Sequence, residues 1–203
     1  MSRFRAEPAE LFVPRRGAVP LDAPPRAGAA LDICVSDALA RYWILDCPAG
    51  LASAHELDLY AAECFAAIFG EDPGRWVIRY DPDPASRAWL ACALPATVAV
   101  DLPRQAAERG WRPRRIQPRF VRAYNRHCRR LERTAAFCLA EADSTTIGLI
   151  VDGLWRNVRV HPPLDRSKAD FATLLRRDCR QAGLSGACPR PVVVGPLAEV
   201  AAA

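Results

Sequence analysis

The chain has 203 residues, of which 51% are apolar and 25% charged, and a formal net charge of +5. That composition suits a globular protein of one large or two small domains with a sizeable core. No apolar run approaches the roughly 20 residues that cross a bilayer. The first twenty residues hold no continuous apolar stretch of secretory type, so a soluble cytoplasmic protein is expected.

Residues 1–29 contain Pro8, Pro14, Pro20, Pro24 and Pro25 among Arg, Ala and Gly, without apolar periodicity. They read as a flexible or extended arm whose short apolar cluster, Leu11-Phe12-Val13, is either a docking peptide or part of a disordered tail. ALDICVSD (30–37) and ARYWILDC (40–47) read as the two strands of a hairpin. Ser53 with Glu56 three residues later is a capping-box signature, and Leu57, Tyr60, Ala61, Cys64, Phe65 and Ile68 follow at helical spacing. With Gly70 as the stop, a helix over about 54–69 is expected. RWVIRYD and RAWLACALP flank DPDPAS as a second hairpin. Residues 96–110 read as a helix in which Pro103 must lie near the first turn, because a proline in mid-helix costs about 3 kcal/mol.

WRPRRIQP (111–118) reads as a strand and RFVRAYNRHCRRLER (119–133) as an amphipathic helix with Phe120, Val121, Tyr124, Cys128 and Leu131 inward. Strands are expected over 134–142, 145–153 and 154–162, with Asp152-Gly153 as a hairpin turn. A helix over 167–183, with Phe171, Leu174, Leu175 and Cys179 inward, and a buried strand over 190–197 complete the chain. Hairpins mixed with helices predict an α/β (α+β) protein with mixed sheets flanked by helices. The pattern divides into two related units, 30–112 and 113–203.

The eight cysteines lack CxxC spacing, and several lie in apolar segments, which predicts reduced thiols. His55, His127 and His161 are scattered, so no zinc ligand set forms from the sequence. Between Arg104 and Arg133 eleven arginines face two acids, Glu108 and Glu132. Arg112, Arg114, Arg115, Arg119, Arg122, Arg126, Arg129 and Arg130 are therefore interaction candidates. The readings left open are a solvated face, a surface for an acidic protein, and a nucleic-acid surface. The turn Asp143-Ser144-Thr145-Thr146 offers hydroxyls and backbone N–H groups to a phosphate but no glycine. Asp81 with Asp83, and Asp165 with Asp170, read as turn and helix-start residues. His127 and Cys128 are adjacent on a helix and do not form a dyad. Trp43, Trp76, Trp89, Trp111 and Trp155 fall in or beside strands and read as sheet packing. No catalytic constellation and no metal site is expected.

The string LDICVSDALARYWILDCP, the Ser-capped helix, WVIRYD, ACALP, RIQPRF and EADSTTIGLIVDGLWRNVRV together resemble the actin-like pilus-assembly family. That family includes the PilM-type proteins of type IV pili and the cytoplasmic domains of type II secretion L-type proteins. The resemblance covers about residues 30–197 and implies two RNase H-like/actin-like subdomains, shorter than in a full PilM-like protein. It also implies that the phosphate-loop positions are Asp32, Cys34 and Ser36 in the first unit. In the second unit they are Glu141, Asp143, Ser144, Thr145 and Thr146. Cys34 stands where ATP-binding members use glycine, and the second loop has no glycine, so no cofactor is expected and ATP binding is the alternative. The implied role is a non-enzymatic scaffold of a type IV pilus or type II secretion-like platform. It would be cytoplasmic or peripheral at the inner membrane, and would bind a membrane protein's cytoplasmic segment, with a homo- or hetero-oligomer as a further option. Nucleic-acid binding through the arginine-rich face is the third reading.

Overall fold

A computed structural model describes residues 8–16, 21–24, 26–51, 53–83, 86–164, 168–184 and 188–195, the first two of the 168–184 stretch as backbone alone. Asp165 and the last two residues of the expected 190–197 strand lie outside them.

Among the described residues ten strands form three sheets. β1 (Ala9–Val13), β2 (Ala29–Val35) and β6 (Trp111–Pro118) make a parallel sheet with β2 at its centre. β3 (Arg41–Asp46), β5 (Ala88–Pro95) and β4 (Trp76–Tyr80) make an antiparallel sheet in the order β3-β5-β4. β7 (Ala135–Ala140), β8 (Thr145–Val151), β9 (Leu154–His161) and β10 (Pro191–Val194) make a mixed sheet in the order β10-β7-β8-β9. The helices are α1 (Ala54–Phe69), α2 (Leu102–Glu108), α3 (Arg119–His127) and α4 (Lys168–Gln181).

Local chemistry sets many of these boundaries. Ser53 and Glu56 form the reciprocal capping box at α1, and Gly70 closes it with φ 66°. A π-helical turn, Thr97–Asp101, leads straight into α2, so Pro103 lies inside a helical run that begins before it, just past the point where the backbone passes from π to α spacing. Asp152 and Gly153 both have positive φ, as the tight β8–β9 turn requires.

Several expectations differ from the structure. The cluster Leu11-Phe12-Val13 is part of β1, whose backbone pairs in parallel with β2, and Val13 enters the core. β2 and β3 do not form a hairpin: the short 3-10 turn Asp37–Leu39 redirects the chain, and the strands join different sheets. The helix expected to reach residue 133 leaves α geometry after His127. A 3-10 turn, Cys128–Arg130, follows, so that Arg133 and Thr134 can bond the β8–β9 turn through Gly153 N–H and Asp152 N–H. β10 is an edge strand rather than a fully buried one, with Val192 exposed. The expected unit boundary at 112/113 falls inside β6, which pairs along its length with β2.

The largest core cluster joins all three sheets, drawing Ile33 and Val35 from β2, Tyr42 from β3, Phe120 from α3, Phe137 from β7 and Val158 from β9. Two smaller clusters lie under α1 and α4. Phe120 packs edge-on to Tyr42 and Phe137 and against Trp155. Gly148 in β8 makes that packing possible, because a Cβ there would lie 2.5 Å from Trp155 Cζ3 and 2.6 Å from Phe120 Cζ. Gly148→Ala is expected to destabilise the protein by about 1–3 kcal/mol through overpacking, read as a lower urea midpoint at unchanged slope.

Candidate functional site

The site lies where two turns from different sheets meet. The first follows β2. Ser36 Oγ accepts the Ala38 N–H at 3.2 Å and so caps the 3-10 turn. The second joins β7 to β8 and is closed by Glu141 N–H donating to Ser144 O at 2.8 Å. The turns bond to each other directly. Ser36 Oγ–H lies 2.9 and 3.0 Å from the two carboxylate oxygens of Asp143, and the Arg15 N–H donates to Asp143 Oδ2 at 3.2 Å. The Asp37 N–H donates to Glu141 Oε2 at 3.0 Å. Ser144 Oγ–H donates to Glu141 at 3.2 Å, and Arg119 pairs with Glu141 at 3.4 Å.

Asp37 is the deepest member. It is fully buried and its carboxylate accepts the Tyr42 hydroxyl at 2.5 Å and the Phe120 N–H at 2.8 Å. Burial, and next the charge of Glu141, push its pKa well above the usual carboxylate range, against the opposing effect of the two donors. A carboxyl whose folded pKa is raised contributes stability at acidic pH and loses it as pH rises through the raised value. Asp37→Asn imitates the protonated form while keeping an acceptor. The stability of the wild type relative to Asp37→Asn is therefore expected to fall as pH rises from about 4 toward neutrality, as thermal melts of the two proteins across that range would record. A constant difference would show that Asp37 stays ionised throughout.

The expected phosphate-loop residues separate into three groups. Ser36, Glu141, Asp143 and Ser144 converge at the seam. Asp32 and Cys34 lie along β2, not in the turn: Asp32 sits between Glu10 and Arg115 in the sheet with a buried Oδ1 that has no partner. Cys34 is buried beside Arg122, and burial raises its thiol pKa. Thr145 and Thr146 are buried at the start of β8, and neither Oγ1 has a hydrogen-bond partner. The arginine candidates also divide. Arg119 reaches the seam, with its guanidinium 5.1 Å over the Phe12 ring, and Arg122 pairs with Glu10 of β1. Arg112, Arg114, Arg115, Arg126, Arg129 and Arg130 are exposed on β6 and after it.

Sequence reasoning missed Asp37, Tyr42 and Arg15. Asp37 carried one usable signal, a Ser-Asp pair ahead of Ala-Leu, the pattern of a capped turn. Arg15 acts through its backbone N–H, which no side-chain pattern reveals.

The contacts limit what the seam can do. A phosphate arriving here would have to displace Asp143 from Ser36 and Arg15, and would meet the carboxylates of Glu141 and Asp37 behind it. Cavities remain on both sides. One, of about 440 Å³, touches Phe12, Arg15, Arg119 and Asp143. The other, of about 830 Å³, lies between β3 and β9 and shares Arg15 and Asp143 with the first. Among the described residues no three His, Cys, Asp or Glu side chains gather as a metal site. All eight cysteines are free thiols. No helix among the described residues is long and apolar enough to cross a membrane.

No protein-family model and no curated protein matches the chain. Solved structures do. A Bacteroides thetaiotaomicron protein of unknown function with an actin-like ATPase fold matches with TM-score 0.53 and 12% identity, over 84% of this chain and 62% of that one. The cytoplasmic domain of EpsL, an inner-membrane component of the Vibrio cholerae type II secretion system, matches with TM-score 0.59 and 9% identity, over 83% and 63%. A PilM–PilN type IV pilus biogenesis complex matches with TM-score 0.50 and 19% identity, over 77% and 48%. The chain thus spans between about half and two thirds of the chains it matches. At these identities the likeness establishes architecture: the chain has an α/β, actin-like fold.

Proposed function

We propose that this chain is a non-enzymatic scaffold of a type IV pilus or type II secretion-like assembly platform. It works at the inner face of the cytoplasmic membrane and holds the cytoplasmic segment of a membrane partner. The observation that carries this reading is the direct bonding of Ser36 to Asp143 across the two turns. In an actin-like fold, turns that hold phosphate need donors facing an open site and backbone that can approach closely. Here the donors are satisfied by the protein's own carboxylate. The fold's likeness to a secretion component and a pilus complex supports the setting.

The alternative is residual ATP binding, in which Ser36 Oγ–H, the Arg15 N–H and the Arg119 guanidinium would exchange Asp143 and Glu141 for a phosphate. Two experiments separate the readings. Affinity capture of the tagged chain from its own cells in mild detergent is expected to recover a pilus or secretion inner-membrane component. Recovery of none rejects the scaffold. Titration with ATP and magnesium is expected to give no heat and no shift in melting temperature. Saturable heat with a rise in melting temperature, as ligand linkage demands of a true binder, establishes the alternative.

A further inference from the structure

The larger cleft carries a feature that the seam does not explain. Its described lining includes Arg15, Arg41, Arg156, Arg159 and Arg177 against a single carboxylate, Asp143, which is already bonded to Ser36 and Arg15. The wall formed by β9 is built to present charge. β8 pairs Leu149 with Asn157 and Ile150 with Trp155, so Arg156 is the extra residue of a bulge. The bulge lets Trp155 and Val158 enter the same core, although three residues apart they would point to opposite faces of a regular strand. It leaves Arg156 exposed at the cleft.

Arg159 is held by Asn157 Oδ1 at 3.3 Å and by Gln181 Oε1 of α4, both neutral, so it is oriented without being neutralised. Arg177, one helical turn from Gln181, lies 3.3 Å from His161 Nδ1 and 3.8 Å from Asp178 Oδ1. His161 Nε2 in turn lies 2.7 Å from the fully buried Asp178, which ties α4 to β9. Arg41 on the opposite wall pairs with Glu71 at 3.1 Å. β3 and β9, each the end strand of its own sheet among the described residues, pack against each other and both line the cleft. Positions 156 and 159 are about 10 Å apart along a strand that rises ~3.3 Å per residue. With the bulge shortening that separation, two guanidiniums there can meet carboxylates two residues apart, which share one face of an extended peptide.

We propose that the β3–β9 cleft binds an extended, carboxylate-rich segment of the partner protein, with Arg156 and Arg159 as its principal anchors and Arg177 as a third. Identifying the segment's owner rests on the scaffold reading; the cleft chemistry does not. Guanidiniums suit carboxylates because their forks bond bidentately.

The test uses the full chain and fluorescence anisotropy with a short labelled peptide of alternating glutamate and valine, beside its lysine counterpart. The acidic peptide is expected to bind at low salt, and the basic one not to bind. Arg156→Glu with Arg159→Glu is expected to weaken binding about tenfold or more, as opposite charges are replaced by like ones. The milder Arg156→Gln with Arg159→Gln pair should weaken it in the same direction, which guards against a folding defect. Arg114→Glu with Arg115→Glu, the same change of charge on the exposed face of β6, should leave it within about twofold. Equal weakening by the two reversals overturns the proposal in favour of diffuse attraction. Absence of acidic-peptide binding, or its displacement by magnesium ATP, overturns it as well. If Arg156→Glu/Arg159→Glu still captures the pilus or secretion component, the scaffold reading stands and the cleft inference falls. If the peptide binds as expected but no such component is captured, the cleft inference stands and the scaffold reading falls.

Discussion

Asp37 has no exposed surface, yet it bonds to three different parts of the chain. Its carboxylate accepts from Tyr42 on β3 and from the backbone of Phe120 at the start of α3, while its own N–H reaches Glu141 after β7. Each partner satisfies a polar group that would otherwise be buried unpaired, at a cost of about 1–3 kcal/mol for each lost partner. This small network therefore fixes the relative positions of β3, α3 and β7. The surrounding apolar cluster, with Phe120 at its centre, packs in the register that the network sets.

The same network accounts for the character of the seam. Because Glu141 is drawn in to Asp37, Ser144 and Arg119, the β7–β8 turn sits against Ser36, and Asp143 takes the Ser36 hydroxyl and the Arg15 N–H. Acidic groups therefore stand where an anionic ligand would need donors. The cleft on the other side is opposite in sign. A bulge in β9, with neutral tethers from Asn157 of β9 and Gln181 of α4, sets guanidiniums along it. One fold thus has an acidic, self-satisfied junction beside a basic, open groove, and the two share only Arg15 and Asp143 of the cavity linings.

Much of the local structure was legible in the sequence. The Ser53–Glu56 box with Gly70 and the Asp152-Gly153 turn are effects of a few adjacent residues, and each lies where expected. The resemblance to actin-like pilus proteins gave the correct fold, although its proposed phosphate positions were only half assembled. Ser36 and Asp143 do meet, but Asp32 and Cys34 belong to the body of β2. Period-2 patterning could not tell the end of β2 from the turn, because Cys34, Val35 and Ser36 are all buried.

The sequence by itself determined most of the strands and helices from β2 onward and where α1 and the β8–β9 turn lie. Those properties depend on propensity, capping and spacing over a few residues. Only the tertiary structure decided that β2 and β3 part into different sheets, that Leu11-Phe12-Val13 joins the parallel sheet, and that Arg156 faces the cleft. The reason is one of range. Ser36 and Asp143 lie 107 residues apart in the chain, and Asp37 and Glu141 lie 104 apart. A contact of that separation leaves no local pattern, because it exists only after the sheets have packed.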